Sequence, residues 1–144
     1  MIAVDTNLLV YAHREDSEWH GNALGVLLRL ANGNQRWAIP WPCVHEFFAI
    51  VTHPKIYKKP STANQATKAI EAWSESERLE FLHESPTYWK TLVKLTLSGK
   101  IRGPMIHDAR IAAICLDNGA TQLLSADRDF SRFGGLDVRN PLLD

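Results

Sequence analysis

The sequence predicts an α/β sandwich built on a mainly parallel sheet of about five strands, and three observations carry that prediction. Short apolar runs of strand length alternate along the chain with longer segments of helical periodicity. The first run, Ile2-Ala3-Val4, stops abruptly at Asp5-Thr6-Asn7, a carboxylate followed by two small hydrogen-bonding residues. The same switch recurs late in the chain, where Gln122-Leu123-Leu124 gives way to Ser125-Ala126-Asp127-Arg128-Asp129. Strands joined by right-handed helical crossovers all end on one edge of the sheet, and ligands bind at that edge in open α/β folds.

Each element follows from local pattern. Ile2-Ala3-Val4 is too short and too apolar for a surface helix and reads as a buried strand; the apolar pattern resumes at Leu8 as a helix reaching His13. Ser17 precedes an amphipathic helix over 18–30, with Trp19, Ala23, Val26, Leu27 and Leu30 on one face and Asn32-Gly33 at its close. Trp37-Ala38-Ile39 is a second strand, ending at Pro40. Pro42 suits the first turn of a third helix, where its missing N–H costs nothing. Val44, Phe47, Phe48 and Val51 form one stripe of that helix, and Cys43, Ala49 and Ile50 line much of the rest, so it should be buried with Glu46 as its single carboxylate.

After a loop with Lys55, Tyr57, Lys58 and Lys59, Ser61-Thr62 caps a helix over 63–77 whose core face is Ala66, Ala69, Ile70 and Trp73. Leu79-Glu80-Phe81-Leu82 alternates as a third strand. Ser85-Pro86 or Thr87 opens a further helix through Trp89, Leu92, Val93 and Leu95, which Gly99 ends. Gly103-Pro104 precedes a small-residue-rich helix over 105–116 that stops at Asn118-Gly119. Gln122-Leu123-Leu124 is the fourth strand and Asp137-Val138-Arg139 a short fifth, terminated by Asn140-Pro141.

Composition narrows the class. With 144 residues, 45% hydrophobic and 22% charged, the chain fits one compact domain over residues 1–144 with a core of its own. No run of about 18 apolar residues occurs, so no bilayer span is expected, and the chain enters its first strand without a basic leader; the expectation is a cytoplasmic protein without membrane association. Cys43 and Cys115 stand far apart among apolar residues and read as small core side chains, not as a disulfide or zinc site. Sixteen basic and sixteen acidic residues cancel, so bulk charge makes no case for nucleic-acid binding. Withdrawal of several acids into a metal-filled pocket would leave the remaining surface net positive, with Lys55, Lys58, Lys59, Lys90, Lys94, Lys100 and Arg102 available to phosphates.

The candidate chemistry lies in isolated acids. Asp5 either caps the helix that follows it or belongs to a site at the strand end. Glu46, in an apolar helix, needs a cation, a cluster of donors or a wet edge, because an unpartnered buried carboxylate would neutralise. Asp108 in the first turn of its helix is explained by the macrodipole alone, at about 0.3–1 kcal/mol. If the strands ending at Asp5 and Asp127 are neighbours, however, these two acids emerge side by side, and Glu46 and Asp108 join them when their helices pack over that edge. Four such carboxylates repel one another and imply a hard divalent cation held by oxygen ligands, which favours phosphoryl chemistry. Whether one ion or two is held stays open.

Taken together, Asp5-Thr6-Asn7 after the initial strand, Glu46 on the third helix, His107-Asp108-Ala109-Arg110-Ile111-Ala112 opening a late helix and Ser125-Ala126-Asp127-Arg128-Asp129-Phe130 closing the fourth strand resemble the PIN-domain ribonucleases. More narrowly the chain resembles the virulence-associated protein C (VapC) toxins of type II toxin–antitoxin modules, over essentially its whole length, including Phe133-Gly134-Gly135-Leu136 and Asn140-Pro141-Leu142. The resemblance implies a single three-layer α/β/α domain. It implies a Mg²⁺- or Mn²⁺-dependent endoribonuclease that hydrolyses phosphodiester bonds of single-stranded or looped RNA, of the tRNA or rRNA class, leaving a 3′ hydroxyl and a 5′ phosphate and blocking translation. Asp5, Glu46, Asp108 and Asp127 match the catalytic and metal-holding acids, with Asp129 an alternative for the fourth. Thr6 and Ser125 match the small hydroxyl positions that orient carboxylates, and Asn7 helps in the same way. A cognate antitoxin protein that neutralises the toxin and a toxin homodimer are implied as partners.

Two competing readings are weaker. A phosphohydrolase with an aspartate nucleophile would show a second Asp two residues after the first, where this chain has Asn7. A catalytically silent PIN-fold module that binds RNA or protein would be marked by a lost acid, and none is lost.

Overall fold

The computed structural model describes residues 1–143 and holds five strands and six helices among them. In chain order these are β1 (Ile2–Val4), α1 (Thr6–His13), α2 (His20–Asn32), β2 (Trp37–Pro40), α3 (Trp41–Val51), α4 (Ala63–Ser74), β3 (Leu79–Leu82), α5 (Tyr88–Ser98), α6 (Ile106–Asp117), β4 (Gln122–Leu124) and β5 (Asp137–Arg139). Short 3₁₀ turns at Gly103–Met105, Arg128–Arg132 and Pro141–Leu143 complete it. All four strand pairings are parallel and the order is β3-β2-β1-β4-β5. The expected α/β architecture with a five-stranded parallel sheet is what the chain forms.

Strand order decides where the site lies. β1 is central, paired on one side with β2 (Ala3↔Ala38) and on the other with β4 (Ala3↔Leu123, Val4↔Leu124), so Asp5 and Ser125 leave the sheet level with each other. Central strands covered on both faces need apolar side chains throughout. Ala3, Val4, Trp37, Ala38, Ile39, Leu123 and Leu124 are accordingly buried, and Leu8, Leu9, Phe47, Ile111 and Ile114 close over them from the helices. Ala109, Ala112 and Ala113 let α6 approach the sheet closely, as its small-residue pattern predicts.

Boundaries depart from expectation where side chains or tight turns intervene. The α2 helix starts at His20, two residues later than the apolar spacing suggests, because the Ser17 hydroxyl accepts the Trp19 N–H at 3.1 Å and its carbonyl accepts the His20 N–H at 3.1 Å. The α4 helix ends at Ser74 and not near Glu77; its last turn tightens as the Glu75 and Ser76 N–H groups bond Ala72 and Trp73 carbonyls. Its start is the expected cap, Thr62 and Gln65 forming a reciprocal capping box. Asp117 receives hydroxyl hydrogen bonds from Ser85, Thr87 and Thr91, so α5 begins beside the end of α6 and the two run antiparallel. The α3 helix is less uniformly buried than its composition predicts: Trp41, His45 and Ala49, at i, i+4 and i+8, form one exposed strip. Among the described residues no helix is long and apolar enough to cross a membrane.

Candidate active site

The centre of the site is Asp5, 4% exposed. It occupies the N-cap position of α1 yet makes no side-chain capping bond, so the helix-cap alternative is set aside. Its Oδ2 accepts the Ser125 hydroxyl at 2.6 Å and the Asn7 amide at 3.3 Å, while the Cys43 thiol lies 3.6 Å from Oδ1. Asn7 also donates to Ser125 Oγ at 3.3 Å and accepts the Ala126 N–H at 3.2 Å, and the Asp127 N–H donates to Ser125 Oγ at 2.9 Å. The ends of β1 and β4 are thereby laced into one rigid pair. Burial pushes the Asp5 carboxyl up to about 6, the Ser125 hydroxyl pulls the other way, and the nearby charge of Glu46 adds to the rise.

Glu46 is half-buried on α3, and its Oε2 accepts the Thr6 hydroxyl at 2.9 Å. That bond joins the first residue of α1 to the middle of α3. The charge of Glu46 raises the pKa of both Asp5 and Asp108.

The third part is a trio. Asp108, Asp127 and Asp129 each bring a carboxylate oxygen to within 4.8 Å of the others. Asp108 lies in the first turn of α6, whose N-cap residue is Met105. Burial first, then the charges of Asp127, Asp129 and Glu46, push it up to about 6, against the lowering influence of Arg132. A helix start alone would have favoured the charged form, so the neighbouring acids and burial outweigh it. Asp127 Oδ1 caps the Arg128–Arg132 turn by accepting the Asp129 N–H at 2.9 Å. Both candidates for the fourth acid therefore reach Asp108.

The donor set, oxygen-only carboxylates gathered at a half-buried edge, suits a hard divalent cation. Thr6 donates to Glu46, and Asn7 and Ser125 donate to Asp5. Two further residues act on the acids. Cys43 is the free, buried core side chain expected, and its thiol also touches Asp5; it is three residues before Glu46 on the same helix, a spacing that brings the two onto one face. Arg132 reaches Asp129 at 3.8 Å and the Met105 sulfur at 3.6 Å, tying the acidic turn to the start of α6. By contrast, Lys55, Lys58 and Lys59 lie between the far ends of α3 and α4, where Arg14 beyond the end of α1 bonds the Lys59 carbonyl. That loop does not border the acids, because α1 and α3 both start at the site and run away from it.

A family model described as PIN domain matches residues 2–136, and this fold and site place the chain in the PIN-domain family. Ribonuclease VapC43 of Mycobacterium tuberculosis is 36% identical over 142 residues, 99% of this chain and 96% of that protein. Ribonuclease VapC48 of the same organism is 27% identical, over 95% of this chain and 94% of its own. Within the PIN domains, then, the chain belongs to the VapC group. Among solved structures, VapBC2 from Rickettsia felis, bound to a DNA fragment from its promoter, matches with TM-score 0.66 and 24% identity over 97% of this chain and 98% of that one. VapC20 of Mycobacterium tuberculosis, described as a Sarcin-Ricin loop cleaving toxin, matches with TM-score 0.68 and 18% identity over 97% of this chain and the whole of that one. These two likenesses speak for the fold.

Proposed function

We propose that this protein is a divalent-metal-dependent endoribonuclease toxin, held inactive by a cognate antitoxin, whose cleavage of RNA blocks translation. The observation that carries the reading is the gathering of Asp5, Glu46 and the Asp108, Asp127 and Asp129 trio at one sheet edge, with hydroxyl and amide donors fixing Asp5 and Glu46. Asp5, Glu46, Asp108 and Asp127 would hold one or two Mg²⁺ or Mn²⁺ ions, with Asp129 sharing the place of the fourth acid. Such an ion, when bound, supplies positive charge to the phosphate and eases ionisation of the attacking water. The protein's part is to keep the acids converged: Ser125 and Asn7 aim Asp5, and Thr6 aims Glu46.

The antitoxin has a fitting surface. A groove of about 610 Å³ between α2 and α4 is lined by Leu24, Leu27, Leu28, Ala69, Trp37 and Trp73, with Leu28 51% exposed and Leu24 36% exposed. An amphipathic segment of an antitoxin would cover this groove. Family resemblance supports a homodimer of the toxin as well.

Cleavage of total RNA by purified protein with added Mn²⁺ or Mg²⁺, its loss on chelation, and its loss in Asp5→Asn with unchanged circular dichroism test the enzyme. Cleavage that persists in chelator, or in Asp5→Asn, would refute it. For the partner, Leu28→Asp is expected to abolish co-purification with the antitoxin while leaving RNA cleavage intact.

A further inference from the structure

Three aromatic rings form a nearly parallel set at the start of α3. Trp41 lies over Phe81 with centroids 4.6 Å apart and planes 20° apart, and beside His45 at 6.2 Å and 23°. Phe81 is half-buried on β3, whereas Trp41 is 38% exposed and His45 is exposed. The set lies at the edge from which the acids project. Trp41 is the first residue after β2, and the β1–β2 register (Ala3↔Ala38) brings Asp5 level with Pro40. Neighbouring strands lie about 4.8 Å apart, so Phe81, two strands from β1, stands roughly 10 Å from the Asp5 position. His45 directly precedes Glu46 in the chain.

We propose that Trp41, backed by Phe81 and flanked by His45, is a stacking platform for an unpaired base of single-stranded RNA next to the bond being cut. The proposal rests on the ribonuclease reading above and names the part of the substrate this surface takes. Any base has a π-face, so an exposed ring already parallel to its neighbours can take an unpaired base without a sequence requirement. The surroundings fit a single base better than a second copy of the chain. His83 and Glu84, which follow Phe81, are exposed, and Glu84 pairs with Arg110 at 2.9 Å in the open, whereas the core of a protein interface is a broad apolar patch depleted of charge.

The test uses a fluorescein-labelled single-stranded RNA dodecamer of mixed sequence, and the same dodecamer with one abasic nucleotide moved along it. Both are titrated by anisotropy against Asp5→Asn protein, which keeps the RNA intact. Adding Trp41→Ala to that protein is expected to weaken binding about tenfold, Trp41→Phe to restore most of it, and one abasic position to remove the difference between Trp and Ala. His45→Ala, on an exposed site that cannot threaten folding, is expected to weaken binding less. Unchanged affinity in Trp41→Ala overturns the platform, as does an equal loss in Trp41→Phe. A shift from dimer to monomer in light scattering with RNA affinity unchanged assigns the surface to a second copy and overturns it too. Wild-type cleavage with Mn²⁺ is measured alongside: if it is absent the ribonuclease reading fails, and if it is present while Trp41→Ala binds normally only the platform fails.

Discussion

Asp5 is buried where its charge is costly and is nevertheless given donors on both oxygens. Ser125 and Asn7 address Oδ2 and Cys43 addresses Oδ1, which fixes the rotamer of the carboxylate before any ion arrives. Ser125→Ala is therefore expected to lower Mn²⁺ affinity by about 10- to 100-fold, the usual effect of losing a group that orients a metal-holding side chain, with a calorimetric titration as the measurement. The Asp108 carboxyl gives a prediction with a definite sign. Its folded pKa, pushed up to about 6 by burial and by three acids, lies above the ordinary carboxylate value. A raised acid contributes stability below its unfolded pKa and loses it as pH rises through the folded one. Asp108→Asn should thus stabilise the metal-free protein above about pH 6 and lose that advantage near pH 4, in urea melts at the two pH values. Destabilisation at both would make its favourable contact with the α6 dipole the dominant role. At this scale Asp5, Glu46 and Asp108 were legible because a lone acid in an apolar setting demands explanation. Cys43 was not, because a thiol among apolar residues looks like any small core side chain until its neighbour across the sheet is known.

The elements act as the frame that converts these preferences into distances. The α3 helix carries Glu46, and Phe47 beside it is fully buried, meeting Trp73 of α4 edge-on at 4.8 Å and His13 of α1 at 5.3 Å. Phe47→Ala should cost about 3–5 kcal/mol, since the surrounding helices cannot collapse into the space left. The checks are chemical denaturation and the metal titration: loosened α3 should weaken ion binding beyond what the fall in global stability explains, because the Thr6–Glu46 bond depends on its seat. Helix identities were readable from spacing, and the bounds of α5 from Thr87 and Gly99, but the start of α2 and the end of α4 were not. The start of α2 is set by Ser17, whose hydroxyl and carbonyl bond the next backbone N–H groups, and nothing in hydrophobic periodicity registers such bonds. Gly33 closes α2 as expected, with an extended backbone; a Cβ there would come within 2.8 Å of the Arg29 carbonyl, so close approach explains the glycine.

On the scale of the whole molecule, the convergence depends on strand order, and that order was not legible. Alternating strands and helices predict parallel pairing, but it is the placing of β1 next to β4, in the order β3-β2-β1-β4-β5, that puts their ends side by side. The sequence could state the consequence only conditionally. Once formed, the arrangement places five carboxylates together in a chain whose total formal charge is zero, with Arg132 lowering the pKa of Asp108 against them. The metal-free fold is then working against its own site, and an ion that binds only the folded state should relieve it. At a Mn²⁺ concentration 100 times its dissociation constant the gain from binding alone is about 2.7 kcal/mol, which for a domain of this size raises the melting temperature by several degrees. Wild-type protein should show that rise in thermal scans with Mn²⁺ against chelator. Asp5→Asn and Asp108→Asn should start from a higher metal-free melting temperature at pH 7.5 and gain little from the ion. The contrast separates an acidic site from an acidic surface. Exposed carboxylates scattered over the molecule would bind Mn²⁺ weakly, and removing any one of them would leave the shift as it was.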